Sequence, residues 1–371
     1  MKYYVGLDLH STNTYIGILD ELGNRVFKKR VPNELPIISG CLEPYKEGIV
    51  GVVVESTFNW YWLVDGLMEQ GYRFLLANPV AFQRYNGLKY TDDEHDAFFL
   101  ALLLKLGILP TGFIFPKEER HLRDLLRKRM ILVGQRTAHL LSFKSLINRN
   151  MGASIDSNEI KRLREEEVFD WFSDEHLACS AQANIAASRF LSAKILELEK
   201  VIIKAATLKD AYQNLLTIPG IGRILALVIM LETGPIDRFE SVGNYASYCR
   251  CVPTSRLSNG KQKGKNNSKN GNKYLSWAFI EAANMAVRYC PNAKAFYQKK
   301  GNKAHKIVAI KALAHKMARA CYWILKDNVP YDGDKLFRLS QKQHKGCGSE
   351  PERGLIEKID PPIGLSAAAP S

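Results

Sequence analysis

The chain has 371 residues, a formal net charge of +14, a pI near 9.3, and 46% hydrophobic and 10% aromatic residues. That length exceeds what one core usually organises, and the apolar content excludes wholesale disorder. There is no run of about 18 apolar residues and no signal-like N-terminus, so a soluble, cytoplasmic protein with no membrane partner is expected, one whose basic surplus suits a polyanion such as nucleic acid.

Residues 3–31 read as a three-stranded antiparallel meander: YYVGLDL, TYIGILD, a Glu-Leu-Gly-Asn turn, then RVFKKRV. A helix is expected over about 33–46. The continuous apolar run GIVGVVVES then reads as a buried parallel strand. A helix from about Trp60, a short strand YRFLLAN, a helix from Pro79 and the acid-fronted helix DDEHDAFFLALLLKLGI follow. This order predicts an α/β domain with a mixed sheet covered on both faces.

From about 117 to 150 the pattern changes to a long helix. Leu126, Val133, Leu140 and Ile147 recur every seven residues, and a second helix near 183–206 aligns Leu191, Ile195, Leu198 and Ile202. Two readings stand: a helical hairpin within the chain, or a dimerising coiled coil. Residues 207–330 read as a mostly helical domain, and the polar end beyond about 333 as a disordered or tag-like tail. The predicted domains are 1–115, 116–206, 207–332 and a tail of 333–371. The seven Cys show no CxxC or Cys/His spacing, so neither a zinc site nor structural disulfides are expected.

Asp8 lies on the first strand, facing away from Leu7 and Leu9. Glu55 ends the buried strand, at the carboxyl edge where α/β sites gather. Asp92, Asp93 and Asp96 open a helix, with Asp93 and Asp96 on one face of its first turn. Singly each acid fits a cap or surface charge. As an ordered set on strand, strand and helix, Asp8, Glu55, Asp93 and Asp96 suit Mg²⁺, a hard cation that prefers carboxylate oxygen. Two such ions would act on a phosphodiester. The arrangement resembles the RNase H/RuvC-like nuclease fold. GLDLHSTNTYIGILDELGN also resembles the first phosphate loop of actin-like ATPases and sugar kinases, but no second Asp-x-Gly loop or glycine-rich adenosine loop follows.

In the second domain, IPGIG places Gly220 and Gly222 between two apolar helices, ahead of Arg223. The pattern resembles a helix-hairpin-helix element, whose backbone N–H groups approach a phosphate. A tight interhelical turn is the plainer reading. The stretch CVPTSRLSNGKQKGKNNSKNGNKYL lies in a span with no Asp or Glu between Glu240 and Glu281. Its Arg256, Lys261, Lys263, Lys265, Lys269 and Lys273 suit a phosphate backbone. A linker reading competes, yet patterned sequence frames the stretch on both sides, which suggests a loop held at both ends. Ser258 precedes Asn-Gly, a permissive turn that would expose its hydroxyl; Ser255 and Ser268 are alternatives. Further on, AHKIVAIKALAHKMARACYWIL reads as an amphipathic helix, core on one face and facing DNA or RNA on the other.

Together these pieces resemble the DEDD-type transposases of bacterial insertion sequences, the IS-one-ten family, also called bridge-RNA-guided recombinases. The resemblance covers roughly residues 3–330. It rests on GLDLH, VVVES, Asp93 to Ala97, IPGIG, the P-x4-S-x-G-K spacing of Pro253, Ser258, Gly260 and Lys261, and the later SKNGNKYL and AHKMA. It implies a RuvC-like domain whose Asp8, Glu55, Asp93 and Asp96 bind Mg²⁺, with Asp92 the alternative to Asp93. It also implies a domain whose Ser258 forms a transient 5′-phosphoserine link to double-stranded donor and target DNA. A structured non-coding guide RNA, a dimer or tetramer (a dimer of dimers) and nucleoid association while acting are implied as well. A plain RuvC-like nuclease using water and a non-catalytic nucleic-acid-binding protein are the alternatives.

Overall fold

In a computed structural model, the described residues are 1–79, 92–206, 209–253, 256–259, 261–264 and 270–337. The helix expected from Pro79 falls mostly outside them. The chain divides into two compact units, Met1–Lys117 and a second that begins at Glu118.

The first unit is a six-stranded mixed sheet of order β3-β2-β1-β4-β5-β6. Its strands are β1 (Tyr3–Leu9), β2 (Asn13–Asp20), β3 (Arg25–Pro32), β4 (Ile49–Glu55), β5 (Phe74–Ala77) and β6 (Thr111–Gly112). β1, β2 and β3 form the expected antiparallel meander, and β4 lies parallel to both β1 and β5. β6 closes the edge antiparallel to β5; two residues without alternation gave no strand signal in the sequence.

Strand alternation divides the side chains between two layers. Val5, Leu7, Leu9, Val52 and Val54 pack with α1 (Leu35–Leu42) and α2 (Tyr61–Glu69). Leu19, Val53 and Ala77 face α3 (Asp93–Lys105) on the other side. The helix expected over 33–46 ends earlier, at Leu42, and gives way to a 3-10 turn over Glu43–Gly48. Pro44 lies at that switch, where its ring and missing N–H cannot continue the α-helix.

Two glycines bring α3 against the sheet. Gly6 and Gly17 are paired neighbours on β1 and β2. A Cβ on Gly6 would lie 1.9 Å from the Ala97 carbonyl oxygen, and one on Gly17 3.1 Å from the Phe98 ring. Only a bare backbone lets the helix come this close, and it carries the first turn of α3 down to the end of β1.

The second unit is helical. α4 (Lys117–Met151) and α7 (Glu175–Ala206) form a long antiparallel pair, bridged by Arg129 Nε to Glu199 at 2.8 Å, Arg136 to Ser192 at 3.3 Å and His139 to Asn184 at 3.2 Å. The pair is therefore made within the chain. Leu140 and Ile147 of the heptad stripe are buried against Ile185, α5 (Ser157–Ile160) and α6 (Glu165–Phe169). Leu126 and Ile202 join the main core instead. That core is built with α8 (Asp210–Leu216), α9 (Arg223–Thr233), α10 (Val242–Tyr248), α11 (Lys273–Tyr289), α12 (Pro291–Gly301), α13 (Lys306–Asp327) and α14 (Gly333–Phe337). β7 (Arg256–Ser258) and β8 (Lys261–Gly264) form a small hairpin between α10 and α11. Among the described residues, no helix is long and apolar enough to cross a membrane.

Candidate functional site

Asp8 takes the α3 side of β1, as the alternation predicts. Asp93 opens α3 above it, and His10, two residues beyond Asp8, falls on the same side of the chain. His10 Nε2 lies 3.1 Å from Asp8 Oδ2 and 3.1 Å from Asp93 Oδ1. The candidate ligand atoms of Asp8, His10 and Asp93 all lie within 4.8 Å of one another. Asp93 is also paired with Arg30. The sheet register explains that contact: Asp8 lies opposite Tyr15, and Tyr15 opposite Arg30, so β3 reaches across to the helix.

The electrostatics are unbalanced towards negative charge. Asp8 Oδ2 is buried and no hydrogen bond reaches it, its contact with His10 being an ion pair of poor hydrogen-bond geometry. Burial pushes the Asp8 carboxyl up to about 6; His10 opposes this, while Asp96, Asp93 and Glu55 push the same way. Of the four acids named from the sequence, Asp8 and Asp93 meet, at His10, while Glu55 and Asp96 fall outside that cluster of ligand atoms. The hydrogen bond to Asp93, with the nearby Asp8 charge, raises His10 against the opposing effects of burial and Arg30. An orphaned carboxylate oxygen within a field of carboxylates, partly neutralised by a borrowed imidazole, fits a divalent cation.

Asp92 does something else. It caps α3, accepting from the His95 amide at 2.9 Å and contacting the His95 ring at 2.7 Å. The His95 amide bond, followed by its ring, holds the Asp92 carboxyl below its usual range. Glu94, between the two aspartates, accepts from Tyr15 at 2.8 Å and pairs with Arg25 at 2.8 Å and Lys28 at 3.0 Å. Sequence reasoning missed His10 and Arg30. His10 had a local signal, the i, i+2 spacing from Asp8; Arg30 had none without the strand register.

In the second unit, Gly220 has φ +92, and a Cβ there would lie 2.5 Å from the Ala282 carbonyl oxygen and 2.6 Å from the Ala286 amide. Gly220 is thus required for packing the IPGIG turn on α11. Gly222 is the N-cap of α9 and Arg223 its exposed first residue.

The basic loop is pinned where it enters and leaves. The Asn272 amide donates to the Tyr248 carbonyl at 2.6 Å, and Arg250 Nε donates to the Gly271 carbonyl at 3.1 Å. Gly271 has φ +92, and a Cβ on it would meet Tyr248 O at 2.5 Å. Above this base, Arg256 and Ser258 lie on β7, with Ser258 paired to Lys261 and Asn259 in the left-handed region at φ 52. Lys261 and Lys263 are exposed on β8, and Lys273 is exposed at the start of α11. Ser255, Lys265, Ser268 and Lys269 lie outside the described residues.

The base has its own anchor. Glu232, 1% exposed at the end of α9, accepts from Arg127 Nε at 2.6 Å and Arg127 Nη2 at 2.7 Å. It also accepts from Asn272 Nδ2 at 2.8 Å, while Asn272 Oδ1 caps α11 through the amides of Tyr274 and Leu275. Arg127 stacks over the Tyr274 ring at 4.6 Å. The long helix α4, the IPGIG helix α9 and the end of the basic loop meet at one carboxylate.

Two family models match the chain. A model described as the transposase IS116/IS110/IS902 family matches residues 212–298, and a DEDD transposase model of the IS110 group matches residues 5–150. A Pseudomonas aeruginosa protein named "Probable family 20 transposase" is 31% identical over 296 residues, covering 73% of this chain and 82% of its own. The "Transposase for insertion sequence element IS1328" of Yersinia enterocolitica is 23% identical over 345 residues, 86% of this chain and 96% of its own. The chain therefore belongs to the IS116/IS110/IS902 family of transposases, a DNA transposase whose DEDD domain implies dependence on a divalent metal.

Proposed function

We propose that this transposase cuts and rejoins donor and target DNA through a 5′-phosphoserine formed on Ser258, with Mg²⁺ held by Asp8, Glu55, Asp93 and Asp96. The observation that carries the metal assignment is the buried, orphaned Asp8 oxygen among three further carboxylates. Mg²⁺ bound there would neutralise charge developing on the scissile phosphate and orient its oxygens. His10 supplies counter-charge between Asp8 and Asp93, since a hard cation favours their oxygens over an imidazolium. Arg30 plays the same part on the other side of Asp93.

Two observations support Ser258: its place on a hairpin with Asn259 at positive φ, and the pinned base that returns the chain to the core. The Ser258 Oγ–P bond would form as the P–O3′ bond breaks, with the serine proton lost to solvent or base and the 3′ oxygen leaving as a hydroxyl. The phosphodiester energy is kept in the new ester, so rejoining is the reverse attack and needs no ATP. Arg256, Lys261, Lys263, Lys265, Lys269 and Lys273, with Gly220, Gly222 and Arg223 at the hairpin turn, are assigned to the DNA backbone. The acid-free span and the +14 charge suit both DNA and a structured guide RNA. Self-association as a dimer and tetramer is assigned to the α4/α7 arm, where Phe190 (62%), Leu196 (58%) and Val201 (56%) stay exposed after the helices have paired. The domain limits are assigned as 1–115, 116–206 and 207–332; α14 (Gly333–Phe337), read from the sequence as the start of a tail over 333–371, belongs to the core of the third, where Phe337 is buried.

The test is to incubate the protein with Mg²⁺, guide RNA and labelled donor and target DNA, then denature it. A covalent protein–DNA adduct is expected with the wild type and with Ser255→Ala, and none with Ser258→Ala. Cleavage that survives Ser258→Ala without an adduct would replace this reading with a water-using nuclease. No cleavage at all, with binding retained, would reduce it to a nucleic-acid-binding role.

A further inference from the structure

The second unit contains a groove that neither the acid site nor the serine loop uses. It has a volume of about 690 Å³ and is formed by α13, α12 and the segment that returns after α13. The return is fixed in place. Asn328 adopts the left-handed conformation at the end of α13 and accepts from Asn214 at 2.9 Å, and the Tyr331 amide donates to Thr217 Oγ1 at 2.8 Å. The groove is thus a built feature of this unit.

Its floor is one face of α13, where His315, Lys316, Arg319, Ala320, Trp323 and Asp327 follow at helical spacing. Ala320 keeps the middle of that floor open. Lys300, Lys316, Arg319 and Lys335 bring four permanent cations, against the carboxylates of Asp327 and Asp332. Asp332 lies 3.7 Å from Lys335, which leaves the excess on the other three cations. Among the described residues no acid is ion-paired with Lys316 or Arg319. Burial and the Arg319 charge lower both His315 and Lys316. Lys316 and Arg319 are like charges three residues apart, which destabilise a helix, so this face gains from an anion.

An inorganic anion would need the cations alone, yet the groove also presents aromatic surface. Trp323 is 48% exposed beside Arg319, and Phe296 and Tyr331 contribute to the walls. Exposed aromatic faces interleaved with cations are how proteins hold unpaired bases together with their phosphates; inside a duplex the base faces are stacked and out of reach. The volume is of the order that encloses one or two nucleotides. We infer that this groove binds an unpaired stretch of nucleic acid, with phosphates on Lys300, Lys316 and Arg319 and a base stacked on Trp323. The assignment goes beyond the transposition reading and does not rest on it.

The test uses the full chain in EDTA, so that no metal-dependent step contributes. Fluorescein-labelled 15-nucleotide RNA and DNA of one sequence, and the corresponding duplex, are titrated by anisotropy. Trp323→Ala should weaken binding of a single strand about five-fold or more and leave duplex binding within about two-fold. Trp323→Phe should restore most of the loss. Lys316→Ala with Arg319→Ala should lower the salt slope by about 1.4, the value for two single-strand phosphate contacts. The RNA and DNA arms identify which strand is the ligand. The proposal is overturned if Trp323→Ala leaves both single strands unaffected with melting unchanged, or weakens duplex equally. It also fails if Trp323→Phe behaves as Ala, or if poly-glutamate displaces the single strand as readily as an unlabelled oligonucleotide of equal charge.

Discussion

Asp8 and Glu232 are both carboxylates withdrawn from solvent, one in each unit, and their surroundings are opposite. Glu232 accepts three hydrogen bonds, two from an arginine fork and one from an amide. Asp8 has a buried oxygen that no hydrogen bond reaches, further carboxylates around it and a borrowed histidine. A buried charge is tolerated when its partners are complete, and then it serves as an anchor. When its partners are incomplete it costs stability, and the deficit describes what the site is built to receive. The contrast separates a carboxylate whose hydrogen bonds are complete from one whose hydrogen bonds are not.

The sharpest break of this contrast is at Glu232. Glu232→Ala leaves Arg127 and Asn272 without their acceptor inside the packed unit. It should cost about 3–5 kcal/mol, the usual penalty for breaking a buried pair by removing one partner. Urea unfolding of the full chain followed by helical signal measures it. Glu232→Gln keeps an acceptor of the same shape and should lose less than half as much. If both variants unfold with the wild type, the anchor is not holding the base of the loop.

Much of the acid site was legible because sheet geometry is regular. Alternation in YYVGLDL assigned Asp8 to the side opposite Leu7 and Leu9, and the continuous run ending at Glu55 identified the strand beside it. Asp93 followed from its place at the first turn of the helix. Arg30 was not legible, because its approach to Asp93 depends on the pairing of three strands. The Glu232 anchor was hidden for a related reason: Arg127, Glu232 and Asn272 are far apart in sequence, and none belongs to a local pattern. Likewise the second long helix begins at Glu175, not near 183, since its first turns bury small residues such as Ala178 and Ala181 that leave no heptad trace. Short-range periodicity reveals which face a residue takes; it does not reveal which residues meet.

A smaller effect of opposite sign is expected at Asp8. Its folded value of about 6 exceeds the model-peptide value of 3.8. In the metal-free protein its favourable contribution is therefore complete below about 3.8 and lost as pH rises to about 6 and beyond. At pH 7.5 in EDTA, Asp8→Asn should raise stability by about 1–2 kcal/mol, allowing for solvent screening of a partly exposed group. At pH 4 the gain should have largely gone. Added Mg²⁺ should then raise the melting temperature of the wild type and do so much less for Asp8→Asn. Equal shifts in both proteins would remove Asp8 from the metal site, and a destabilised Asp8→Asn at pH 7.5 would mean that the His10 contact outweighs the cost of burial.

The smallest effect sharpens the contrast within one sheet. Asp20, at the end of β2, accepts from the amides of Leu22, Gly23 and Asn24 at 2.9, 2.7 and 2.8 Å, and from the Asn24 side chain at 2.9 Å. That side-chain bond, followed by the amides, holds its carboxyl below the usual range. The sign is the reverse of Asp8: its contribution is present above the ordinary carboxylate value and lost as pH falls through the lowered one. Asp20→Asn should therefore lower the melting temperature slightly at pH 7 and converge on the wild type in strong acid, while leaving adduct formation intact. If instead both aspartates gave the same pH trend, hydrogen-bond satisfaction would not be what distinguishes them. His10→Ala, which takes away the borrowed cation, should amplify the Asp8 trend and leave that of Asp20 unchanged.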